Sequence, residues 1–307
     1  MSIPKTEWIW HNGEFVKWND ATVHVSVHAL HYGSSVFEGL RAYATPNGPA
    51  ILAVDAHIRR LFDSCRVMRM EVPYSAERIR TAIIEVVRRN ALRSCYIRPL
   101  VYRGAGEIGM DARSAPTEMA IFAFEFGPYL GDAALEQGVD VMVSSWRRLA
   151  PDTLAAMSKS GGNYVSSQFI TMEAKDLGFA EAIALDVNGM VSEGSGENIF
   201  VVYRGELYTP PVGASILMGI TRECILTLAR DLRIEVREQT FPREMLYLAD
   251  EIFFAGTAVE ISPVRSVDKI QVGNGSPGPV TKRLQGEFFG ILRGQMPDRH
   301  NWLTLVR

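Results

Sequence analysis

The chain has 307 residues, 47% of them hydrophobic and 22% charged, with 32 Lys and Arg against 35 Asp and Glu for a formal charge of −3. That is apolar material for one large core or two moderate ones, which excludes a disordered chain or a mini-scaffold. No basic block interleaved with aromatics and no uncharged run of roughly 18 apolar residues is found, and the opening MSIPKTEWIWHNGEF has no charged head before an apolar core. A soluble, cytoplasmic protein that binds neither nucleic acid nor membrane is therefore expected.

In chain order, residues 22–27 and 96–102 read as strands, and Pro99 in the second points to an edge or a bulge. Ile58, Leu61, Phe62, Cys65 and Met68 recur at helical spacing, as do Ile79, Ala82, Ile83 and Val86. These elements predict an α+β fold with a small α+β domain over 1–126. Residues 126–138 carry three glycines and a proline between strand-like AIFAF and VDVMVSS, so 127–138 is expected to be an interdomain loop. A larger domain rich in antiparallel strands is expected over 139–307. It begins with a strand at 139–144. A helix follows Gly161-Gly162, with Val165, Phe169 and Met172 on one stripe and Gly178 as its stop. Asn188-Gly189 and Arg204-Gly205 mark hairpins. Thr221 is a candidate N-cap for a helix with Ile225, Leu228 and Leu232 on its apolar face, and 273–279 leads into a last helix bearing Val280, Leu284, Phe288 and Ile291.

Lysine chemistry has few candidates, since only six of the 32 cations are lysines: Lys5, Lys17, Lys159, Lys175, Lys269 and Lys282. Lys159, in MSKSGGNY, has small neighbours that admit a bulky planar ligand, with Met157 and Tyr164 to desolvate it. The other five flank turns, the terminus or charged helix faces. On these residues alone, Lys159 stands open between a nucleophile and an ordinary loop lysine. Glu193 follows the Asn188-Gly189 hairpin and precedes Gly194 and Gly196, in reach of a bound ring or of water. Gly219-Ile220-Thr221 offers helix N-terminal N–H groups to an anion, and Gly256-Thr257-Ala258 offers a hydroxyl and backbone donors after a buried strand. Arg60, on an otherwise apolar helix, adds a cation. His24, His28 and His31 lack a cysteine or acidic partner, so no metal is expected. Gly104, Gly106 and Gly109 match a dinucleotide fingerprint without the helix that must follow, and Pro279 stands where a phosphate loop needs its lysine. The three cysteines, Cys65, Cys95 and Cys224, have no pairing or metal spacing.

Taken together, Lys159 with GGNY, the run EGSGENIF from Glu193, and LMGITR from Leu217 resemble the class IV aminotransferase signature. HALHYGSSVFEGLRAY, SCYIRPL, SSWRR and EIFFAGTAVEISPV are similar to branched-chain amino acid aminotransferases, so the resemblance spans nearly the whole chain. It implies a fold type IV enzyme of branched-chain amino acid biosynthesis that uses pyridoxal 5′-phosphate. The small domain would be joined to a larger one with barrel-like antiparallel strands, the cofactor between them. Lys159 would bind the cofactor covalently and then move the proton, Glu193 would face the pyridine nitrogen, and Tyr164 the ring hydroxyl. Arg60, Ile220, Thr221 and Thr257 would take the phosphate. Phe37, Tyr32, Tyr129 and Tyr164 would line the apolar pocket, with Met110 reaching in from a neighbouring subunit of a homodimer or higher homo-oligomer. Tyr96, with the Thr257 and Ala258 N–H groups, would hold the α-carboxylate, and Arg98 the distal carboxylate of glutamate or 2-oxoglutarate. Phe126 stands where relatives often carry tryptophan.

Overall fold

The structure is a computed structural model that describes residues 3–127 and 129–307, the side chain of Asp132 excepted. The chain divides into two compact units, Met1–Gly127 with Ser158–Gly162 and Ile291–Arg307, and Pro128–Met157 with Asn163–Gly290. The first unit's main stretch ends at Gly127, and 158–162 and 291–307 belong to the same unit. The expected interdomain loop carries a short helix, Asp132–Gln137. Long-range backbone pairing sends these segments where they go, and local glycine content does not report it.

In the first unit one sheet runs in the order Leu303–Leu305, Gly48–Leu52, Leu40–Thr45, Cys95–Arg103, Thr117–Glu125, Trp8–His11, Glu14–Lys17, with Ser35–Phe37 also paired to Cys95–Arg103. Helices Val54–Val67 and Ala76–Arg89 bury Ile58, Leu61, Ile79 and Ile83 against Leu40, Ile51 and Ile97 of that sheet. The second helix is capped by Ser75, whose side chain accepts from Arg78 N.

Strand Cys95–Arg103 is central, not the edge that Pro99 suggested. On one side it pairs along its full length with Thr117–Glu125. On the other, Leu40–Ala42 pair with residues 95–97 and Ser35–Phe37 with 100–102. Pro99 falls in the gap between these two partners, where a missing N–H costs no ladder bond, and its carbonyl accepts from Glu38 N at 2.9 Å. Residues 22–27 form no strand. The His24 ring bonds Ser26 Oγ at 2.7 Å, a local turn that competes with sheet pairing, and helix His28–Tyr32 follows at once.

In the second unit the sheet order is Val191–Gly194, Glu181–Leu185, Val139–Arg147, Glu260–Val267, Glu251–Gly256, Asn198–Tyr203, Glu206–Thr209, Val236–Glu238. Both expected hairpins form. Arg204 and Gly205 take φ of 53° and 84°, the paired left-handed conformations of a tight hairpin turn. Gly194 N donates to Glu197 O at 2.7 Å, drawing the strands around it into a barrel-like curl. The pairing is mixed rather than antiparallel throughout: Val139–Arg147 runs parallel to both neighbours, and helix Tyr164–Asp176 supplies the crossover to Glu181–Leu185.

That helix buries Ser167, Ile170 and Ala174, while Val165, Phe169 and Met172 face outward, with Phe169 stacked on Trp146 at 4.8 Å. The apolar stripe in the sequence is therefore its outer side, because small residues let the opposite face approach the sheet. Helix Ile220–Asp231 starts one residue before Thr221, so Thr221 is not the N-cap. Gly219 holds that position without a side-chain cap, and a Cβ there would lie 1.9 Å from Asn198 Oδ1.

Candidate active site

The first group of site residues is built around the segment 158–162. Lys159 O accepts from Phe37 N at 3.0 Å, Lys159 N donates to Ser64 Oγ at 3.1 Å, and Gly162 N donates to Gly33 O at 3.1 Å. Ser160 bridges Val36 in antiparallel fashion. A Cβ on Gly161 would meet Ser35 Oγ at 2.3 Å, so the glycine is what lets the segment lie so close. Both backbone polar groups of Lys159 are thus held by rigid elements, as a precise catalytic group needs.

Beneath it, helix Val54–Val67 turns His57, Arg60 and Ser64 to one side, at spacings of three and four. Glu38 is fully buried at the break between two strands. Its Oε1 accepts from Arg60 Nε at 2.6 Å, and its Oε2 accepts from Arg60 Nη2 at 2.8 Å and bonds His57 Nδ1 at 2.7 Å. Burial works to raise this carboxyl, but the Arg60 charge and the hydrogen bonds from Arg60 and His57 outweigh it and hold it well below the usual carboxylate range. Burial lowers the His57 ring against the pull of Glu38, favouring neutral imidazole. Burial, and next the Arg60 guanidinium, push the Lys159 amine down from 10.5 to about 8, while Glu38 and Tyr96 act in the opposite sense.

Above the lysine sits an aromatic and cationic wall. Lys159 Nζ lies 4.9 Å from the Phe37 ring centroid and Arg98 Cζ 4.6 Å from the same ring. Arg98 Nη2 donates to Tyr96 OH at 3.3 Å, so Tyr96 and Arg98 share a face of their strand as the period of two requires. Phe126 packs 5.2 Å from the Tyr96 ring and 5.3 Å from Arg41 Cζ. A Cβ on Gly39 would come within 1.7 Å of Tyr96 OH, so that hydroxyl occupies space only glycine leaves.

The second group lies wholly in the other unit. Glu193 is buried and ion-paired to Arg148 Nη2 at 2.6 Å. Its Oε2 also accepts from Asn198 Nδ2 and from Leu217 N, each at 3.0 Å. Burial, and then neighbouring Glu181, push the Glu197 carboxyl well up and favour its neutral form. Arg148 pairs with Glu193 and not with Glu197. The Leu217 loop leads into Gly219 and the first turn of helix Ile220–Asp231, where Ile220 is half-buried and Thr221 buried. Thr257 and Ala258 form the partly buried turn between Glu251–Gly256 and Glu260–Val267, and Tyr164 is the partly buried first residue of its helix. Tyr129 is exposed.

Tyr32 and Met110, 45% and 77% exposed, line a cleft of about 680 Å³ with His28, Ser34 and Arg103, and Phe37, Tyr96 and Arg98 are not among its lining residues. His28 bonds Ser34 Oγ and Gly109 O, and His31 bonds Val25 O. Among the described residues no cluster of three or more His, Cys, Asp or Glu is arranged to hold a metal, and no helix is long and apolar enough to cross a membrane. Sequence reasoning missed Glu38, His57, Ser64, Arg148 and Asn198. The polar residues His57, Arg60 and Ser64, at helical spacings of three and four, were the readable signal for two of them.

Residues 35–267 match the family described as amino-transferase class IV. A branched-chain-amino-acid aminotransferase of Salmonella typhimurium is 53% identical over 309 residues, covering 100% of this chain and 99% of its own. The crystal structure of the Escherichia coli branched-chain amino acid aminotransferase superposes with a TM-score of 0.97 at 52% identity, covering 99% of this chain and 100% of that one. That of the Thermobaculum terrenum branched-chain amino acid aminotransferase, in its PLP-form, does so at 0.91 and 34%, covering 99% of each. The chain belongs to the class IV aminotransferases, as an enzyme of fold type IV and of their branched-chain aminotransferase branch.

Proposed function

We propose that the protein moves amino groups between L-leucine, L-isoleucine or L-valine and 2-oxoglutarate, reversibly, giving the branched 2-oxo acids and L-glutamate, with pyridoxal 5′-phosphate as cofactor. The observation that carries this reading is Lys159: an amine brought down to about 8, its backbone held at both ends, beside an arginine and an aromatic wall. The donor set fits the cofactor, with a nucleophilic amine for its aldehyde, a buried carboxylate at Glu193 for its ring nitrogen, and for its phosphate a helix start without a side-chain cap. The PLP-form of the Thermobaculum terrenum relative supports the same choice.

When bound, the cofactor supplies an electron sink for bond breaking at the amino acid α-carbon. Lys159 would hold it covalently through its amine, and the same amine would carry the proton to and from the substrate α-carbon. Glu193 keeps a proton on the ring nitrogen, and Tyr164 donates to the ring hydroxyl. Arg60, Thr257 and the backbone N–H groups of Ile220 and Thr221 grip the phosphate. Tyr96 and the Thr257 and Ala258 N–H groups hold the substrate α-carboxylate. Phe37, Tyr32, Tyr129 and Tyr164 receive the branched side chain, and Arg98 receives the distal carboxylate of glutamate. The enzyme works in the cytoplasm as a homodimer or higher homo-oligomer, Met110 serving the neighbouring subunit.

Half-reactions test this reading directly. The purified protein is expected to be yellow, to change colour with L-leucine or L-glutamate alone, and to recover it with a 2-oxo acid. Colourless protein that takes up no pyridoxal phosphate would overturn it. Arg98→Met is expected to cut kcat/KM for glutamate on the order of a hundredfold and to change that for leucine less than about tenfold. Equal losses would remove Arg98 from distal carboxylate recognition. Gly39→Ala, which pushes the Tyr96 hydroxyl aside, is expected to raise KM for every amino acid while leaving the bound cofactor spectrum unchanged.

A further inference from the structure

We infer that Glu38 and His57 are positioning residues that aim Arg60 at the cofactor phosphate, a role that rests on the reading of Arg60 given above. Glu38 is a fully buried carboxylate, and such a group persists only when its partners satisfy it. Here the partners come from one helix. Arg60 meets it through two parallel bonds, Nε to Oε1 at 2.6 Å and Nη2 to Oε2 at 2.8 Å. This fork fixes the plane of the guanidinium, and with it the direction of the remaining donors. Gly39 N adds a bond to Oε2 at 3.2 Å.

His57 closes the arrangement. Its Nδ1 lies 2.7 Å from Oε2, while its Nε2 is buried without a hydrogen-bond partner. An interior imidazole with only one nitrogen served is neutral, and the proton belongs on Nδ1, where it donates to Glu38. The cluster then carries one negative and one positive charge, and Glu38 offsets the Arg60 charge that Lys159 faces. Through the helix spacing, His57 and Arg60 lie on the side that also presents Ser64 to the Lys159 backbone. A shift of Glu38 would move the phosphate grip without touching the lysine's own hydrogen bonds.

The test is the ratio of affinities of the cofactor-free full-length protein for pyridoxal 5′-phosphate and for pyridoxal, which lacks the phosphate. Arg60→Gln is expected to lower this preference strongly. Glu38→Gln is expected to lower it about tenfold or more, the loss of bonds to a charged group, and to add nothing in the Arg60→Gln background. His57→Gln, which keeps both charges, is expected to lower it by about threefold, and it decides the matter if Glu38→Gln does not fold. A buried pair that served stability alone would lower the melting temperature and leave the ratio untouched. Should Arg60→Gln lower the ratio while Glu38→Gln and His57→Gln match the parent, the positioning role is refuted and the proposed function stands. An unchanged ratio in Arg60→Gln would take Arg60 off the phosphate and remove this inference with it.

Discussion

Lys159→Ala is expected to abolish transamination, by at least about 10⁴-fold, and at the same time to make the cofactor-free protein more stable near neutral pH. The two effects share one cause. An interior amine at about 8 instead of 10.5 binds its proton less readily in the folded chain than in the unfolded one, which is what a nucleophile needs and what folding opposes. A pKa that is lower in the folded state means that the unfolded state holds more protons between about 8 and 10.5, so the parent's stability rises with pH through that window. Below 8 the full cost is present, at most about 3.4 kcal/mol, and above 10.5 it is gone. The variant loses some packing of the lysine stem, but it also loses this slope. Denaturant melts of both proteins from pH 7 to 11 are the check, and parallel pH profiles would contradict the depressed amine. At pH 7 a larger fraction of Lys159 than of an ordinary lysine should be free amine. Borohydride reduction of the yellow holoenzyme followed by digestion should place the pyridoxyl label on the Lys159 peptide.

The second large effect is expected at Glu193. Glu193→Ala removes the carboxylate from a pair whose side chains are 5% and 7% exposed, stranding the Arg148 guanidinium in the interior. Breaking such a pair costs about 3–5 kcal/mol. Leu217 N and Asn198 Nδ2 lose an acceptor as well, which loosens the loop that leads into Gly219. Activity should fall by about a hundredfold or more, because no group then holds the proton on the cofactor ring. The double variant Glu193→Met/Arg148→Met separates the two consequences. Replacing both charges with apolar groups is expected to restore most of the melting temperature and none of the activity. Recovery of activity in the double variant would show that Glu193 serves only the fold.

Much of this architecture is legible in the sequence wherever a local rule decides the outcome. The Asn188-Gly189 and Arg204-Gly205 turns need left-handed backbone, and the stripes of helices Val54–Val67 and Ala76–Arg89 face their sheet, so both kinds of element read directly. Local rules fail where a distant partner decides. Pro99 reads as an edge or bulge residue because nothing nearby says that two different strands share that side of Cys95–Arg103 and leave a gap between them. Val165, Phe169 and Met172 read as one stripe, and periodicity reports a face and not its direction, which here is outward. Glu38 illustrates the same limit for the site. In VFEGLR it looks like any surface glutamate, and only the fold brings it to His57 and Arg60, 19 and 22 residues away. Lys159 stands out as a candidate because lysine is rare in this chain, whereas the residues that hold its backbone are serine and phenylalanine, which are common everywhere.

Lys159 sits within five residues, Ser158–Gly162, that pack with the first unit while the chain on either side of them packs with the second. An exchange of modules between related enzymes that breaks the gene only after residue 127 would graft a new Ser64 and Phe37 onto an old loop. Chimaeras should therefore inherit 158–162 from the same parent as 1–127, and recombinants that split these segments are the ones to be lost under selection for growth.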